Sequence, residues 1–426
     1  MSKKVSLFLL ILIVIFAVAA TISVTRYGDS SLPNTKSRAA EIPVDSQLKN
    51  RIDTFMKHTP PAGIAGLEIY DITAGKEVFS YNKDSLLTPA SCMKILTCVA
   101  ALRYIGAKQQ LHNRLYTTGS MCGDTLVGNL VLKTDYDTFF NRDTLNLLID
   151  TLKNHGINHI KGDIVLDMMF TEQMGHEEHW IIGDLRMRYM GLVLQGFPRM
   201  QKEILASLRM KGISHLGGGI IYGKANPAQA TLIAENVGSM HKLIEKALKV
   251  SSNINAEALL YPLGYIIDKR GNYRENGRRL LRNFIRNEIA IEPDMVCRID
   301  DGCGLCPNDK ITADLLVKIL IYASQHPAIY DEVVADMPLS GVDGTLFKRM
   351  LEIDIRGMLR GKTGTLTRNG GVSSLAGFFF GKDGHLMAYA ILNNEWGVED
   401  GRAWQDNFCR KALKPQSLIG EVPLEQ

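Results

Sequence analysis

Three short segments, taken in chain order, carry the residue types that acyl transfer requires. They are Ser91-Cys92-Met93-Lys94, Ser251-Ser252-Asn253 and Lys362-Thr363-Gly364. A serine hydroxyl of ordinary acidity is a poor nucleophile, so it needs a base within hydrogen-bond reach. Lys94 follows Ser91 by three residues, which places both side chains on one face if a helix begins there. Each segment alone is common by chance, but their order and context predict Ser91 as a nucleophile and Lys94 as its base.

The second segment supplies a hydroxyl and an amide. Ser251 is predicted to relay a proton and Asn253 to bind a substrate amide on one wall of a cleft. The alternative is structural, because the segment also reads as a loop before a helix at Ala256, with a serine as the helix cap.

The third segment fits an edge strand that lines the opposite wall. Lys362 and Thr363 offer a cation and a hydroxyl, which suit a substrate carboxylate. Gly364 permits a close approach of the backbone. A backbone N–H near Thr365 is predicted to pair with that of Ser91 as an oxyanion hole.

A helix must hold the nucleophile, and the apolar pattern predicts one. Ile95, Val99 and Leu102 recur at helical spacing. We therefore expect a helix from Ser91 to Ile105, with Gly106 as its C-terminal cap. Strands are predicted at Ala65 to Tyr70, Val78 to Tyr81, Ser374 to Phe380 and His385 to Asn393, and the last two flank the turn Gly381-Lys382-Asp383-Gly384.

Residues 111–227 differ from their surroundings, since they combine many glycines with short strand-like runs. We predict a smaller inserted α+β domain there. Residues 47–110 and 228–415 would then form the catalytic domain, and Ala228 to Leu248 is predicted to be helical. The expected class is α/β, with an antiparallel sheet flanked by helices.

The N-terminus predicts export. Lys3 and Lys4 precede fourteen apolar residues, Leu7 to Ala20. Residues 1–28 are either a cleaved signal peptide or, because the apolar stretch reaches about twenty residues, an anchor that attaches the body to the inner membrane. Residues 29–46 are rich in Ser, Pro, Asn and Thr and are predicted to be a linker. The body is expected in the periplasm or elsewhere in the cell envelope.

The charge and length of the chain limit the classes of partner that can be expected. The chain has 426 residues, with 49 basic and 45 acidic side chains and a formal net charge of +4. So small an excess excludes an electrostatic footprint for nucleic acid. A peptide or small-molecule substrate is expected instead.

No metal site is predicted. Cys303 and Cys306 form a lone C-x-x-C without further zinc ligands at a matching spacing. His176-Glu177-Glu178-His179 lacks the H-E-x-x-H spacing and is expected to be a solvated polar loop. The seven cysteines are odd in number, so at least one thiol stays unpaired, and they are interpreted as small buried residues.

Five segments together resemble a known family. They are TPASCMKILTCVAAL (Thr88 to Leu102), VSSNINAEALLYPLG (Val250 to Gly264), DGCGL (Asp301 to Leu305), GVDGTL (Gly341 to Leu346) and GKTGTLTRNGGVSSLAGFFFG (Gly361 to Gly381). In this order they resemble the class C low-molecular-mass penicillin-binding proteins, which are D-Ala-D-Ala carboxypeptidases and endopeptidases. The resemblance extends from about Gln47 to Asn394.

The resemblance implies a serine β-lactamase/transpeptidase-like fold, peptidoglycan stem peptides as substrates, β-lactam antibiotics as covalent inhibitors and no cofactor. It implies that Ser91 is acylated and that Lys94 is the base. The other motif residues implied are Ser251, Asn253, Lys362, Thr363 and Gly364.

Two departures from the family pattern concern the rim of the cleft. About 160 residues separate Ser91 from Ser251, fewer than is usual in the family, and serines are usual where Cys303 and Cys306 stand. The alternatives are a serine β-lactamase, which would turn over a β-lactam that a peptidase only binds, and an inactive peptidoglycan-binding scaffold, which would not need Lys94.

Overall fold

The computed structural model of the chain describes residues 45–175, 177–180, 191–368 and 370–416. The strands are β1 Ile64–Asp71, β2 Lys76–Tyr81, β3 Gln110–Thr117, β4 Ser120–Cys122, β5 Thr125–Val127, β6 Leu130–Thr134, β7 His159–Lys161, β8 Ile164–Met168, β9 Ser214–Gly217, β10 Ile220–Tyr222, β11 Thr231–Ser239, β12 Cys297–Arg298, β13 Lys310–Ile311, β14 Leu359–Leu366, β15 Val372–Phe380 and β16 Leu386–Asn394. The α-helices are α1 Ser46–His58, α2 Met93–Tyr104, α3 Arg142–Asn154, α4 Gly196–Met210, α5 Met240–Lys249, α6 Asn253–Ala258, α7 Leu260–Ile267, α8 Tyr273–Asn287, α9 Pro293–Val296, α10 Ala313–Ser324, α11 Pro327–Asp336 and α12 Val398–Phe408.

The first sheet is antiparallel, in the order β14-β15-β16-β1-β2. Both of its faces are buried, because successive side chains of a strand point to opposite faces and each face is covered by helices. In β16, Tyr389 and Ile391 pack toward α1 and α12, whereas Ala388 and Leu392 pack toward α2 and α10. The expected antiparallel sheet flanked by helices, including the hairpin of β15 and β16, is confirmed.

A second five-stranded sheet, in the order β10-β8-β6-β3-β11, and a four-stranded sheet, β4-β5-β7-β9, are formed between residues 110 and 239. Helices α3 and α4 belong to the same stretch of chain and pack against each other and against these strands. These sheets are consistent with an inserted domain. The exact borders at residues 111 and 227 stay a prediction.

The predicted helix from Ala228 to Leu248 is wrong in its first half. Residues Thr231–Ser239 form β11, which pairs antiparallel with β3 along its length. Pairing with a strand more than a hundred residues away overrides the local preference for helix. A pattern read from neighbouring residues cannot predict such a pairing. The helix begins only at Met240, where the Ser239 side chain caps it by accepting a hydrogen bond from Lys242 N.

All seven cysteines lie in the described part of the chain and are free. Six are buried and Cys122 is exposed, so the interpretation as small buried residues holds for six of them. Within the described residues no helix is long and apolar enough to cross a membrane. The predicted signal peptide or anchor, and nearly all of the predicted linker, lie outside the described residues.

Candidate active site

Ser91 lies in the 3-10 turn Ala90–Cys92, immediately before α2. The helix therefore begins two residues later than predicted, but the turn continues into it and Lys94 still follows on the same side. The buried Cys92 thiol donates to Lys362 O at 3.2 Å, which ties the turn to strand β14. Ala90 has a positive φ of 45°, a strained conformation that tertiary contacts must hold.

Lys94 is fully buried, and its amine has three hydrogen-bond partners. Its Nζ lies 2.7 Å from Ser91 Oγ, 2.8 Å from Asn253 Oδ1 and 2.7 Å from Cys303 O. Burial lowers the pKa of Lys94, because an ammonium ion is poorly solvated there. A neutral amine has two N–H bonds and one lone pair. In the neutral form of Lys94, the two carbonyl oxygens can accept both N–H bonds, which leaves the lone pair for the proton of the Ser91 hydroxyl.

The Cys303 carbonyl is held by a tightly bonded loop. Asp301 Oδ1 accepts from the backbone N–H of Cys303 at 2.8 Å and of Gly304 at 2.5 Å, and Trp180 Nε1 donates to Asp301 Oδ2 at 2.7 Å. Gly304 has a φ of 75°, and a Cβ there would lie 1.8 Å from Ala90 O. The loop and the turn Ala90–Cys92 therefore fit only with glycine at this position.

The second segment contains both a helix cap and site residues. Ser252 is the N-cap of α6, and its Oγ accepts from Asn255 N at 3.4 Å. Ser251 precedes the cap with a φ of 58°, and Asn253 is the first residue of the helix. The structural alternative predicted a serine cap, which is Ser252, but the helix begins at Asn253 and not at Ala256. On either side of the cap, Asn253 contacts Lys94 and Ser251 contacts Lys362.

Lys362 is fully buried on β14, the predicted edge strand. Its Nζ donates to Ser251 Oγ at 2.8 Å and to Thr363 O at 2.7 Å. Burial, with a smaller contribution from the charge of Lys94, lowers the pKa of Lys362 to about 7. A Cβ on Gly364 would lie 2.5 Å from Pro89 O, so the predicted close approach of the backbone is present.

A cavity of about 700 Å³ opens over these residues. Five predicted site residues line it, namely Ser91, Ser251, Asn253, Thr363 and Thr365. The two buried lysines lie behind its wall. Sequence reasoning missed the other residues of the lining, which are Thr345, Lys348, Arg349, Glu399, Arg402, Ala403 and Asp406. Thr345 belongs to the GVDGTL segment, and its Oγ1 accepts a hydrogen bond from Thr363 Oγ1 at 2.7 Å. The lining residues on α12 belong to no motif.

The polar segment His176-Glu177-Glu178-His179 is not a metalloprotease motif. Glu177 Oε1 and His179 Nδ1 lie 2.5 Å apart in a turn, and Cys306 offers a ligand atom within 4.8 Å of theirs. His176 lies outside the described residues. Because Glu177 and His179 lie in a turn and not on a helix, they do not form the H-E-x-x-H arrangement.

Comparison with solved structures supports this fold. The chain is similar to penicillin-binding protein 4 of Haemophilus influenzae, with a TM-score of 0.67 and 21% identity over 82% of this chain and 94% of that one. It is also similar to a predatory peptidoglycan endopeptidase of Bdellovibrio bacteriovorus, with a TM-score of 0.59 and 14% identity over 85% and 96% of the two chains.

Sequence comparison gives the family. D-alanyl-D-alanine carboxypeptidase DacB of Haemophilus influenzae is 21% identical over 82% of this chain and 89% of its own length. The D-alanyl-D-alanine carboxypeptidase of an Actinomadura species is also 21% identical, over 82% and 81%. The model of the D-Ala-D-Ala carboxypeptidase 3 (S13) family matches residues 48–194 and 198–412. The chain therefore belongs to this family and is a serine-type D-Ala-D-Ala carboxypeptidase.

Proposed function

We propose that the protein hydrolyses the D-alanyl bond of peptidoglycan stem peptides through an acyl-enzyme on Ser91, and that penicillin acylates the same serine. The observation that carries the proposal is the position of Lys94 Nζ, which lies 2.7 Å from Ser91 Oγ and within hydrogen-bond distance of two carbonyl oxygens. The resemblance to penicillin-binding proteins supports it. Export by the N-terminal segment would place the enzyme in the cell envelope, where its substrate lies.

The first half-reaction uses the three segments in turn. Lys94 takes the Ser91 proton while Ser91 Oγ attacks the peptide carbonyl, and the N–H groups of Ser91 and Thr365 stabilise the oxyanion. Lys94 then passes this proton through the hydroxyl of Ser251, which is hydrogen-bonded to Lys362, to the departing amine, and Lys94 is neutral again. Since the pKa of Lys362 is about 7, this lysine can both give and regain a proton near neutral pH.

The second half-reaction is hydrolysis of the ester. Water adds to the acyl carbonyl, and the neutral Lys94 accepts a proton from that water. Lys94 then gives this proton to Ser91 Oγ as the serine leaves. The same residues therefore serve both halves. Each step balances without any group from outside the chain except water.

Release of D-alanine from a purified disaccharide pentapeptide tests the activity. The protein should release one D-alanine for each tetrapeptide formed, and Ser91→Ala should release none while unfolding at the same temperature. Release by Ser91→Ala at the wild-type rate would contradict the proposal.

A further inference from the structure

Helices α5 and α11 bring a histidine and two carboxylates together outside the cavity over Ser91. His241 lies in the first turn of α5, whereas Glu332 and Asp336 lie one turn apart on α11 and share a face of that helix. His241 Nδ1 is 2.6 Å from Glu332 Oε2 and 3.8 Å from Asp336 Oδ2. We call these three residues, whose ligand atoms all lie within 4.8 Å of one another, the α5–α11 cluster.

Asp336 is the buried member of the cluster, and one of its oxygens is unsatisfied. Its side chain is 4% exposed, and among the residues that the structure describes no group donates a hydrogen bond to Oδ2. Burial without a donor is unfavourable for a carboxylate oxygen, because the oxygen has lost its water and has no other partner. His241 Nδ1, at 3.8 Å, is too distant to donate to it. A cation bound between these two atoms would satisfy the oxygen.

The charges around the cluster favour a cation. Glu245 follows His241 by four residues and lies on the same face of α5, so three carboxylates surround one imidazole. Of the two lysines in the last turn of α5, Lys246 is paired with Glu245 at 2.9 Å and Lys249 with Asp343 at 3.0 Å. Within the described residues, neither lysine forms an ion pair with a carboxylate of the cluster.

The ligand types and distances fit zinc. Zinc binds imidazole nitrogen and carboxylate oxygen at about 2.0–2.2 Å in tetrahedral geometry, so two of its ligands lie about 3.4 Å apart. The distance of 3.8 Å between His241 and Asp336 is close to this value, whereas the 2.6 Å between His241 and Glu332 must widen. His241 is 48% exposed and Glu332 is 27% exposed, so both side chains have room to move. Calcium and magnesium prefer sites made of oxygen atoms alone.

We propose that His241, Glu332 and Asp336 bind a zinc ion that links α5 to α11, with water as the fourth ligand. The role of this ion is structural, and the inference does not rest on the proposed function. Sequence patterns do not reveal the site, because its ligands are about ninety residues apart in the chain and only the packing of the two helices brings them together.

The link acts on a helix that leads to the active site. α5 ends at Lys249, two residues before Ser251. Lys249 Nζ already joins the ends of the two helices, since it donates to Ala335 O at 2.9 Å and to Met337 O at 2.8 Å. Zinc joins the same helices at a second point and therefore stabilises the position of the segment that carries Ser251.

Zinc affinity, measured by competition with a chromophoric chelator on metal-free full-length protein, tests the site. Every protein carries Cys122→Ser, which removes the exposed thiol of the described chain as a competitor. Asp336→Asn removes the buried ligand and keeps its shape, and Asp331→Asn, at an exposed position of α11, is the charge-matched control. Loss of a partner behind a metal ligand already costs about 10–100-fold in affinity. We therefore expect Asp336→Asn to bind zinc at least about tenfold more weakly and Asp331→Asn to bind it as wild type does.

Two substitutions of Glu332 separate a zinc site from a simple ion pair. Both Glu332→Gln and Glu332→His remove the negative charge that pairs with His241, but only histidine supplies a new zinc ligand. Glu332→His should therefore keep tight zinc binding, whereas Glu332→Gln should lose it. Thermal unfolding gives a second readout, since zinc should raise the unfolding temperature of wild type and Glu332→His more than that of Glu332→Gln.

Each outcome supports the site or overturns it. Equal zinc affinity in wild type, Asp336→Asn and Glu332→Gln would show that zinc binds elsewhere on the chain. Equal loss in Glu332→Gln and Glu332→His would show that the cluster is an ion pair only. Tighter binding of calcium than of zinc by wild type would also contradict the proposal.

Discussion

At the scale of single residues, the proposed acyl transfer depends on the hydrogen-bond acceptors of Lys94 and Lys362. Lys94 has two carbonyl oxygens and Lys362 has one carbonyl oxygen and one hydroxyl. The residue types were predictable from the three segments, because acyl transfer demands them. The role of the Cys303 carbonyl was not predictable, because every residue has a backbone oxygen whatever its amino-acid type. Arg402 was missed for a different reason, since only the packing of α12 brings it to the cleft.

Burial of Lys362 gives a dependence of stability on pH. The pKa is about 7 in the folded protein and 10.5 ordinarily. Between these values the unfolded chain binds a proton that the folded chain lacks, so stability rises with pH in this window. We expect the rise to be smaller in Lys362→Met by about 1.4 kcal/mol per pH unit.

Urea unfolding of wild type and variant at pH 7.5, 8.5 and 9.5 measures this difference. Lys382→Met, in the exposed turn between β15 and β16, is the control and should keep the wild-type slope. Equal slopes in wild type and Lys362→Met would contradict the assignment.

At the scale of elements, the turn Ala90–Cys92 is held between strand β14 and the loop at Asp301. The helix after Ser91, the edge strand and the β15–β16 hairpin were predictable, because each follows from a local pattern. Strand β11 was not, because its pairing with β3 is a long-range interaction. The close contacts of Gly304 and Gly364 with the turn depend on three separate elements and appear only in the fold.

Gly304→Ala tests how tightly the turn is held. The substitution adds the strain of a positive φ, roughly 1–2 kcal/mol, and a clash with Ala90 O that must displace the turn or the loop. We expect a loss of more than 2 kcal/mol in the free energy of unfolding, and acylation by penicillin at least tenfold slower.

Gly75→Ala is the matched control. Its φ of 68° is similar, but a Cβ there meets nothing within 4 Å. It should show the conformational cost alone and leave acylation unchanged. Similar losses of acylation in both variants would argue against a role for the loop.

At the scale of the whole molecule, residues 111–227 contact the loop and the helix that form part of the active site. Trp180 donates to Asp301, and Thr138 Oγ1 donates to Asn255 Oδ1 at 2.7 Å, directly behind Asn253. The three segments all lie outside residues 111–227, so this stretch supplies none of the predicted catalytic groups. Through these two contacts it supports the Asp301 loop and helix α6, which carry the acceptors of Lys94.

Trp180→Phe removes one N–H from this support and keeps the aromatic packing. A buried acceptor on Asp301 then loses its partner, the loop loosens, and acylation by penicillin should slow several-fold. The control is Trp404→Phe, which removes the hydrogen bond from Trp404 Nε1 to Thr59 O in the core beneath α1. If both variants acylate at the wild-type rate, the support from Trp180 is negligible.

The central claim is that Ser91 is the nucleophile and Lys94 its base. Incubation of the protein with penicillin, followed by peptide mapping by mass spectrometry, tests it most directly. The account predicts one adduct, on the peptide that contains Ser91, none in Ser91→Ala, and about 10²–10⁴-fold slower labelling in Lys94→Ala. An adduct on any other peptide, or normal labelling of Ser91→Ala, would contradict it.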